Sequence, residues 1–372
     1  MPALIAVIGA GTMGAGIAQL ALEHGHPVTL VDVAPGAVGR ARAAIEERVT
    51  RRLARRGLAG AELSGTVAET LDRLRLAADP QAVAEAAVVI EAVVEDLAVK
   101  RALFEGLDRI LASDAILATN TSALSVAAIG SAAVGHSERF LGLHFFNPAP
   151  AMPLVEVVAA PATAPDVLEV ASELVRTWGR TPILCADRPG FIVNRVNRPF
   201  TIQALRALEA GVATVAAIDA AVRADGFPLG PFELIDLIGV DVNLAVATAI
   251  WAAFEQAERF RPSPIQAALV ADGQLGRKAG LGFYRYDPAG ARIGPAPRFD
   301  SEPIVGSDRA ASVVERIRAS ILAEATIALA EGVAADAATI DLALRLGAGH
   351  PQGPFEWAAA RGRSESSPTI GR

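Results

Sequence analysis

The tightest constraint on this chain lies in its first fourteen residues. Leu4 to Ile8 is a short continuous apolar run, and Gly9-Ala-Gly11-Thr12-Met13-Gly14 comes directly after it and opens the helical stretch Gly14 to His24. A G-x-G-x-x-G pattern is weak by itself; between a strand and a helix it is the signature of a dinucleotide-binding turn. Gly9 permits the tight turn, Gly11 lets the backbone approach a pyrophosphate, and Gly14 lets the helix lie close to the strand. The helix N-terminus then offers unpaired N–H groups and partial positive charge to the phosphates. Asp32 ends a second apolar run, Val28 to Val31, 18 residues after Gly14. Its carboxylate can accept from both ribose hydroxyls and would repel a 2′-phosphate, so the cofactor expected is NAD rather than NADP. The other reading of Asp32 is a helix cap.

Three more apolar runs, Ala87 to Val94, Ala115 to Ala118 and Phe140 to His144, alternate with helical segments. Continuous apolar strands separated by helices predict a parallel sheet covered on both faces, a doubly wound α/β domain of Rossmann type. Residues 37–76 are longer than a crossover requires and hold Arg40, Arg42, Arg48, Arg51, Arg52, Arg55 and Arg56. Two helices joined near Gly57 and projecting from the sheet are expected there. After Asp187-Arg-Pro-Gly-Phe191 the pattern turns helical and rich in Ala and Leu. The expected division is residues 1–186 for the NAD-binding domain and 187–286 for an all-α C-terminal domain. Residues 287–306, with several Pro and Gly, read as a linker.

Beyond that linker the sequence partly repeats itself. Glu209-Ala-Gly-Val-Ala, Ala217-Ile-Asp219 and Gly230-Pro-Phe-Glu233 recur as Glu331-Gly-Val-Ala, Thr339-Ile-Asp341 and Gly353-Pro-Phe-Glu356, at offsets of 121 to 123 residues. Residues 307–360 are therefore expected to be a duplicated helical module. The polar stretch 361–372 is expected to be disordered.

Composition narrows the function classes. Of 372 residues, 52% are hydrophobic and 20% charged, which excludes a disordered chain. A net charge of −7 argues against a nucleic-acid binder or a general affinity for anionic membranes. One cysteine, Cys185, excludes an intramolecular disulfide framework and fits a reducing cytosol; its apolar surroundings read as packing. No leader is expected, because Ala3-Leu-Ile-Ala-Val-Ile-Gly9 lacks a basic segment and a cleavage site. The longest apolar stretch, Leu234 to Phe254, is interrupted by Asp236, Asp241 and Asn243, so no membrane span is expected. A cytoplasmic protein without a metal is the expectation.

The chemistry concentrates at the end of the fifth run, in His144-Phe-Phe-Asn147-Pro148. Ligands of an open α/β sheet bind beyond the carboxyl ends of its strands, so a histidine there can reach a nicotinamide. Removing a hydride from a secondary alcohol needs a base for the hydroxyl proton, and imidazole titrates near working pH. Glu156, in Met152-Pro-Leu-Val-Glu156-Val-Val, is the obvious partner for the other ring nitrogen. Asn120-Thr-Ser122, after the fourth run, either caps the next helix or bonds the substrate oxygen or the nicotinamide carboxamide. Asn194, in Gly190-Phe-Ile-Val-Asn194-Arg195, either binds a developing carbonyl oxygen or makes a hydrogen bond between domains.

At these residues the chain resembles the L-3-hydroxyacyl-CoA dehydrogenase family, including its 3-hydroxybutyryl-CoA and 3-hydroxyadipyl-CoA members. The resemblance rests on Val7 to Gly14, Glu91-Ala-Val-Val-Glu95-Asp-Leu-Ala-Val-Lys100, Asn120-Thr-Ser122, His144 to Pro148, Leu154-Val-Glu156-Val, Arg188 to Arg195 and Gly276-Arg-Lys278... Gly282-Phe-Tyr284. It implies oxidation of a 3-hydroxyacyl-CoA to the 3-ketone with NAD. Within it His144 is the general base, Glu156 its orienting carboxylate, and Ser122 and Asn194 the ligands of the substrate oxygen. Glu95, Lys100, Asn120, Asn147 and Lys278 are cofactor contacts beside the Gly loop and Asp32. The helices of residues 37–76 would flank the CoA moiety. Arg51, Arg52, Arg55 and Arg56 either supply charge to its phosphates or form a solvated face.

The resemblance implies a homodimer joined through the helical domain, altered here if the second module docks on the first. The Asn194-Arg195 motif is missing from the second copy, where Val314-Glu-Arg-Ile-Arg318 stands, so that copy should be structural. Two alternatives stay open: a dehydrogenase of a free hydroxy acid such as gulonate, and a redox-inactive NAD-binding structural protein.

Overall fold

Ile5–Ile8 forms β1, buried as its unbroken apolar run requires, and the glycine turn leads straight into α1 (Thr12–Glu23). The computed structural model describes residues 3–300 and 307–365, and the chain divides into two units, Met1–Phe191 and Ile192–Arg372. In the first unit the order continues β2 (Val28–Val31), α2 (Ala37–Arg55), α3 (Gly60–Leu71), β3 (Leu74–Ala77), β4 (Val88–Glu91), α4 (Leu97–Asp108) and β5 (Ile116–Thr119). Then come α5 (Val126–Gly130), β6 (Phe140–Phe145), β7 (Leu154–Ala159), α6 (Pro165–Thr177) and β8 (Thr181–Ala186).

The eight strands form one sheet in the order β3-β2-β1-β4-β5-β6-β7-β8. From β3 to β6 every pairing is parallel, the doubly wound arrangement, and the order reverses between β1 and β4. The sheet is mixed, however: β7 runs antiparallel to β6 and β8 parallel to β7. Three strands go beyond the five apolar runs. Strand β3 hides at the end of the arginine-rich insertion because, as an edge strand, it stays partly exposed and alternates Leu74-Arg-Leu. The insertion is nevertheless helical before it: Ala37, Ala41, Ile45 and Val49 give α2 one buried stripe, and its arginines lie off that stripe.

The second unit opens with α7 (Val193–Val196), α8 (Arg198–Glu209), α9 (Val215–Ala224), α10 (Pro231–Ile238), α11 (Val240–Ala253) and α12 (Pro264–Ala271). The stretch expected as a linker contains most of a hairpin, β9 (Tyr284–Tyr286) and β10 (Arg292–Pro295), antiparallel to each other. Tyr284 and Phe283 are buried, and Asp236 accepts from both of their backbone N–H groups at 2.9 and 3.0 Å. Residues 301–306 of that stretch lie outside the described residues. The chain then forms α13 (Ser307–Ala330), α14 (Ala337–Ala348) and α15 (Pro354–Glu365). Helix α15 runs five residues into the stretch expected to be disordered, and residues 366–372 lie outside the described residues. Among the described residues no single helix is long and apolar enough to cross a membrane.

The repeated sequence makes repeated bonds. Asp219 accepts from the N–H groups of Phe232 and Glu233 at 3.0 Å each, and Glu233 reaches back to the Gly230 N–H at 2.9 Å. In the second copy Asp341 accepts from Phe355 at 2.9 Å and Glu356 at 3.1 Å, and Glu356 reaches back to Gly353 at 3.0 Å. Gly-Pro-Phe-Glu is thus a helix start: Pro opens the first turn, Glu closes a capping box, and a buried Asp takes orphan N–H groups. The glycine is needed because a Cβ there would collide with the Asp side chain in either copy.

Candidate active site

The glycine turn is shaped for a phosphate group. Gly9 has φ +102°, and a Cβ on Gly14 would collide with the Gly9 carbonyl oxygen, so helix and strand close up only with glycine at both positions. A Cβ on Gly11 would meet nothing within 4 Å, which leaves the backbone open to a ligand. Helix α1 begins at Thr12, with Met13 and Gly14 next, and has neither a side-chain cap nor an acidic residue in its first turn. Its first N–H groups are therefore available to an anion. Asp32, just beyond β2, accepts from the Ala10 N–H at 2.7 Å through one oxygen and from the Ala34 N–H at 2.8 Å through the other. It ties the glycine turn to the end of β2 and sets a negative charge beside it. These residues fit the diphosphate and adenosine ribose of NAD.

Two strands bring the base and its partner together. In the antiparallel pairing of β6 with β7, His144 lies directly opposite Glu156, where side chains on one face are close enough to touch. His144 Nδ1 is 2.6 Å from Glu156 Oε2, and both residues are buried. With Nδ1–H donated to the carboxylate, Nε2 carries the lone pair. Phe146 and Phe191 wall the imidazole, with ring centroids at 4.5 and 5.7 Å. Phe191 holds φ +49°, a conformation costly for a non-glycine residue, while almost fully buried. Cys185, on β8, is buried, and burial followed by the Glu156 charge pushes its thiol well above the ordinary range. It is a packing residue.

A buried charge network joins the ends of β4 and β5. Glu91, fully buried, accepts from Lys100 Nζ at 2.5 Å, Thr119 Oγ1 at 2.7 Å and the Val93 N–H at 2.7 Å. Lys100 is 1% exposed and lies 3.3 Å from Glu95. Glu95 in turn accepts from Thr121 Oγ1 at 2.6 Å and from Ser122 through its N–H at 2.9 Å and Oγ at 3.2 Å. Burial works against the Glu95 charge, but Lys100 and the bonds from Thr121 and Ser122 outweigh it and hold the carboxyl below its ordinary value. Asn120 too is bonded within the domain. Its Oδ1 accepts from the Phe145 N–H at 2.8 Å, so that oxygen is spent on locking the end of β5 to the end of β6, next to His144. Asn147 is exposed just past β6.

In the second unit Asn194 sits in α7. Next to it Arg195, fully buried, is held by Glu324 at 2.6 Å and Glu331 at 2.7 Å from α13 and its end. That pairing reserves Arg195 for packing the second module. Lys278 Nζ pairs with Asp241 at 2.6 Å. Of the arginine cluster, Arg52 is paired with Glu23 of α1 and Arg51 with Glu47 of its own helix, whereas Arg55 and Arg56 are exposed.

A family model described as 3-hydroxyacyl-CoA dehydrogenase, NAD binding domain, matches residues 4–188. Its companion, 3-hydroxyacyl-CoA dehydrogenase, C-terminal domain, matches residues 190–286 and 313–363. The chain belongs to the 3-hydroxyacyl-CoA dehydrogenase family. Within it, the 3-hydroxyadipyl-CoA dehydrogenase of Escherichia coli K12 is 50% identical over 281 residues, 75% of this chain and 58% of that protein. The match therefore spans less than two thirds of that relative. The mitochondrial hydroxyacyl-coenzyme A dehydrogenase of Sus scrofa is 41% identical over 286 residues, 76% of this chain and 90% of that protein. Among solved structures, 3-hydroxybutyryl-CoA dehydrogenase from Escherichia coli K12 superposes with a TM-score of 0.85 at 38% identity, covering 97% of this chain and 92% of that one.

Three residues of this 3-hydroxyacyl-CoA dehydrogenase domain escaped the sequence reading as site builders. Glu91 had a signal: an acid at the end of a buried apolar strand requires a cation, and Lys100 stands nine residues on. Phe191 had none, because its role depends on a left-handed backbone. Asp187 marks the end of the domain in the sequence but also caps α5, accepting from the N–H groups of Val126 at 3.0 Å and Ala127 at 2.8 Å.

Proposed function

We propose that this chain oxidises the 3-hydroxyl of a 3-hydroxyacyl-CoA to the ketone. The observation that carries the reading is the 2.6 Å bond from His144 to Glu156 in cross-strand register. His144 Nε2 takes the hydroxyl proton as the C3–H bond breaks. Glu156, accepting from Nδ1–H, fixes the tautomer and stabilises the positive charge that develops on the ring. Ser122 and Asn194 hold the substrate oxygen, and the Glu91–Lys100–Glu95 network holds Ser122 in place. NAD, when bound, supplies the hydride acceptor; Asp32, Glu95, Lys100, Asn147 and Lys278 are its side-chain contacts beside the glycine turn. Asn120 contributes by positioning β6 more than by direct contact. For the CoA phosphates, Arg55 and Arg56 are the available cations, since Arg52 would have to release Glu23.

The test is one assay. Acetoacetyl-CoA should drive NADH oxidation, NADPH should be much poorer, and free acetoacetate should fail. Turnover of the free acid would favour the hydroxy-acid alternative, and no turnover of either would favour a redox-inactive NAD-binding protein. The single Cys185 thiol supports a cytosolic setting. The homodimer implied for single-module relatives gives way in this reading to one chain, because α13 covers the α8 face.

A further inference from the structure

Phe191 stands on a backbone that suits glycine. It ends the turn Arg188-Pro189-Gly190-Phe191, closed by its own N–H on the Arg188 carbonyl at 2.9 Å, with Gly190 at φ +75°. Pro second and a left-handed Gly third are the pattern of a type II turn, which asks nothing special of the fourth residue. Phe191, the fourth, is nevertheless left-handed too, at φ +49°, where a bulky side chain is a genuine outlier. The segment is anchored upstream, because Asp187 accepts from Ser125 Oγ and the Ala127 N–H at 2.8 Å each and from the Val126 N–H at 3.0 Å. A strained residue persists only where its surroundings hold it, and such residues gather at functional sites. Filling space alone gives no reason to put a phenyl ring on a backbone suited to glycine.

The strain places the ring against the base. Gly142 and His144 are two apart on β6 and share one face of the sheet, with Val158 and Glu156 opposite them on β7. A Cβ on Gly142 would collide with Val158 and with Val126 of α5, so α5 lies over that same face. Asp187 thus fastens the turn to the helix that covers the His144 face. Phe191, 1% exposed, brings its ring centroid to 5.7 Å from that of the imidazole, at a tilt of 55°, and Phe146 stands at 4.5 Å with the same tilt. The Glu156 bond holds the imidazole at Nδ1 only, and a hydrogen bond tolerates a misalignment of about 30°. The aromatic neighbours narrow that tilt, and with it the direction of the Nε2 lone pair. We infer that Phe191 is a positioning residue for the proton transfer: acting through His144, it keeps Nε2 aimed at the substrate hydroxyl and so governs the rate of the chemical step rather than binding. This rests on the dehydrogenase reading proposed above.

The experiment measures single-turnover hydride transfer from NADH to acetoacetyl-CoA, with KM, NADH affinity and Tm, for the full chain and for Phe191→Leu, Phe191→Ala and Phe191→Gly. Leucine keeps the apolar bulk without the rigid ring. Hydride transfer in Phe191→Leu should fall roughly 10- to 100-fold, the scale of a reacting group held slightly out of place, with KM and NADH affinity changing less than about twofold. Alanine and glycine both lack the ring and differ in how they bear the left-handed backbone. Phe191→Gly should therefore melt above Phe191→Ala, yet both should transfer hydride equally slowly. Activity then follows the ring while stability follows the backbone. Full rate in Phe191→Leu, or a loss carried by KM, would overturn the inference and leave the dehydrogenase reading intact. So would a rate that climbs with Tm from alanine to glycine, the mark of a merely structural residue. Should those two variants fail to fold, Phe191→Leu decides alone. An unaltered chain that does not reduce acetoacetyl-CoA would instead remove the dehydrogenase reading, and this inference with it.

Discussion

His144 has committed Nδ1 to Glu156, so Nε2 is the nitrogen left for a substrate proton. His144→Gln should therefore lower kcat by roughly 10²- to 10⁴-fold while NADH still binds. Stopped-flow turnover together with fluorescence titration of NADH checks both halves, and near-normal kcat would remove His144 as the base. Asp32→Ala should weaken NADH binding and narrow the preference over NADPH, because it deletes the negative charge and also frees the Ala10 N–H; titration with both nucleotides measures the change, and unchanged affinity would take Asp32 out of the site. At this scale the sequence pointed to residues that the structure brings together, His144 opposite Glu156, and to an acid tied to the glycine turn, Asp32. It was a poor guide to which atoms are already spent. Asn120 reads as a helix cap or a ligand of substrate or nicotinamide, yet its oxygen accepts from the Phe145 N–H. Lys100, a cofactor contact by the resemblance, is buried between two carboxylates.

Among the elements, the strands that set the site were the least legible. The run Leu154 to Ala159 contains a glutamate, so it was not counted among the apolar runs; pairing with β6 puts that glutamate opposite His144 and creates the antiparallel step in the sheet. The parallel strands β1, β2, β4 and β5 were legible because burial on both faces demands unbroken apolar runs. Hairpin β9–β10 was not, because its Pro and Gly content mimics a linker. One element of the second module carries a pH dependence. His350, 7% exposed, is 2.8 Å through Nε2 from Asn197 Oδ1, and burial, then the Arg318 charge, push its pKa down to about 3. An unfolded histidine titrates near 6.5. The unfolded chain thus binds a proton that the folded chain refuses between those values, and stability, full above about pH 6.5, is lost as pH falls toward 3. The slope is at most ~1.4 kcal/mol per pH unit. The residue matching His350 in the first module is Phe227, so His350→Phe should flatten the fall in Tm between pH 6.5 and 4.5, measured by calorimetry. An unchanged profile would exonerate His350.

For the molecule as a whole, the decisive feature is how the two helical modules meet. Helix α13 packs on α7, α8 and α9, and α14 packs on α7. The small contacts are reciprocal. A Cβ on Gly226 would meet Pro351 at 3.3 Å, and one on the equivalent Gly349 would meet Pro228 at 3.3 Å. Between them the equivalent rings of Phe227 and His350 pack edge to face, with centroids 4.9 Å apart. Residue i against j matched by j against i is the rule of a two-fold interface between identical subunits, here met inside one chain. The chain's own second module covers this face of the first and is clamped there through Arg195 to Glu324 and Glu331. Light scattering on the purified protein should accordingly give the mass of one chain, 38.4 kDa, over the micromolar range. Replacing Arg195 with Met should loosen the module and lower Tm, since it removes the buried partner of Glu324 and leaves that interior carboxylate only the part-exposed Arg259. A stable two-chain mass at low micromolar concentration would show that the reciprocal packing has not replaced the dimer, and that a different surface joins the subunits.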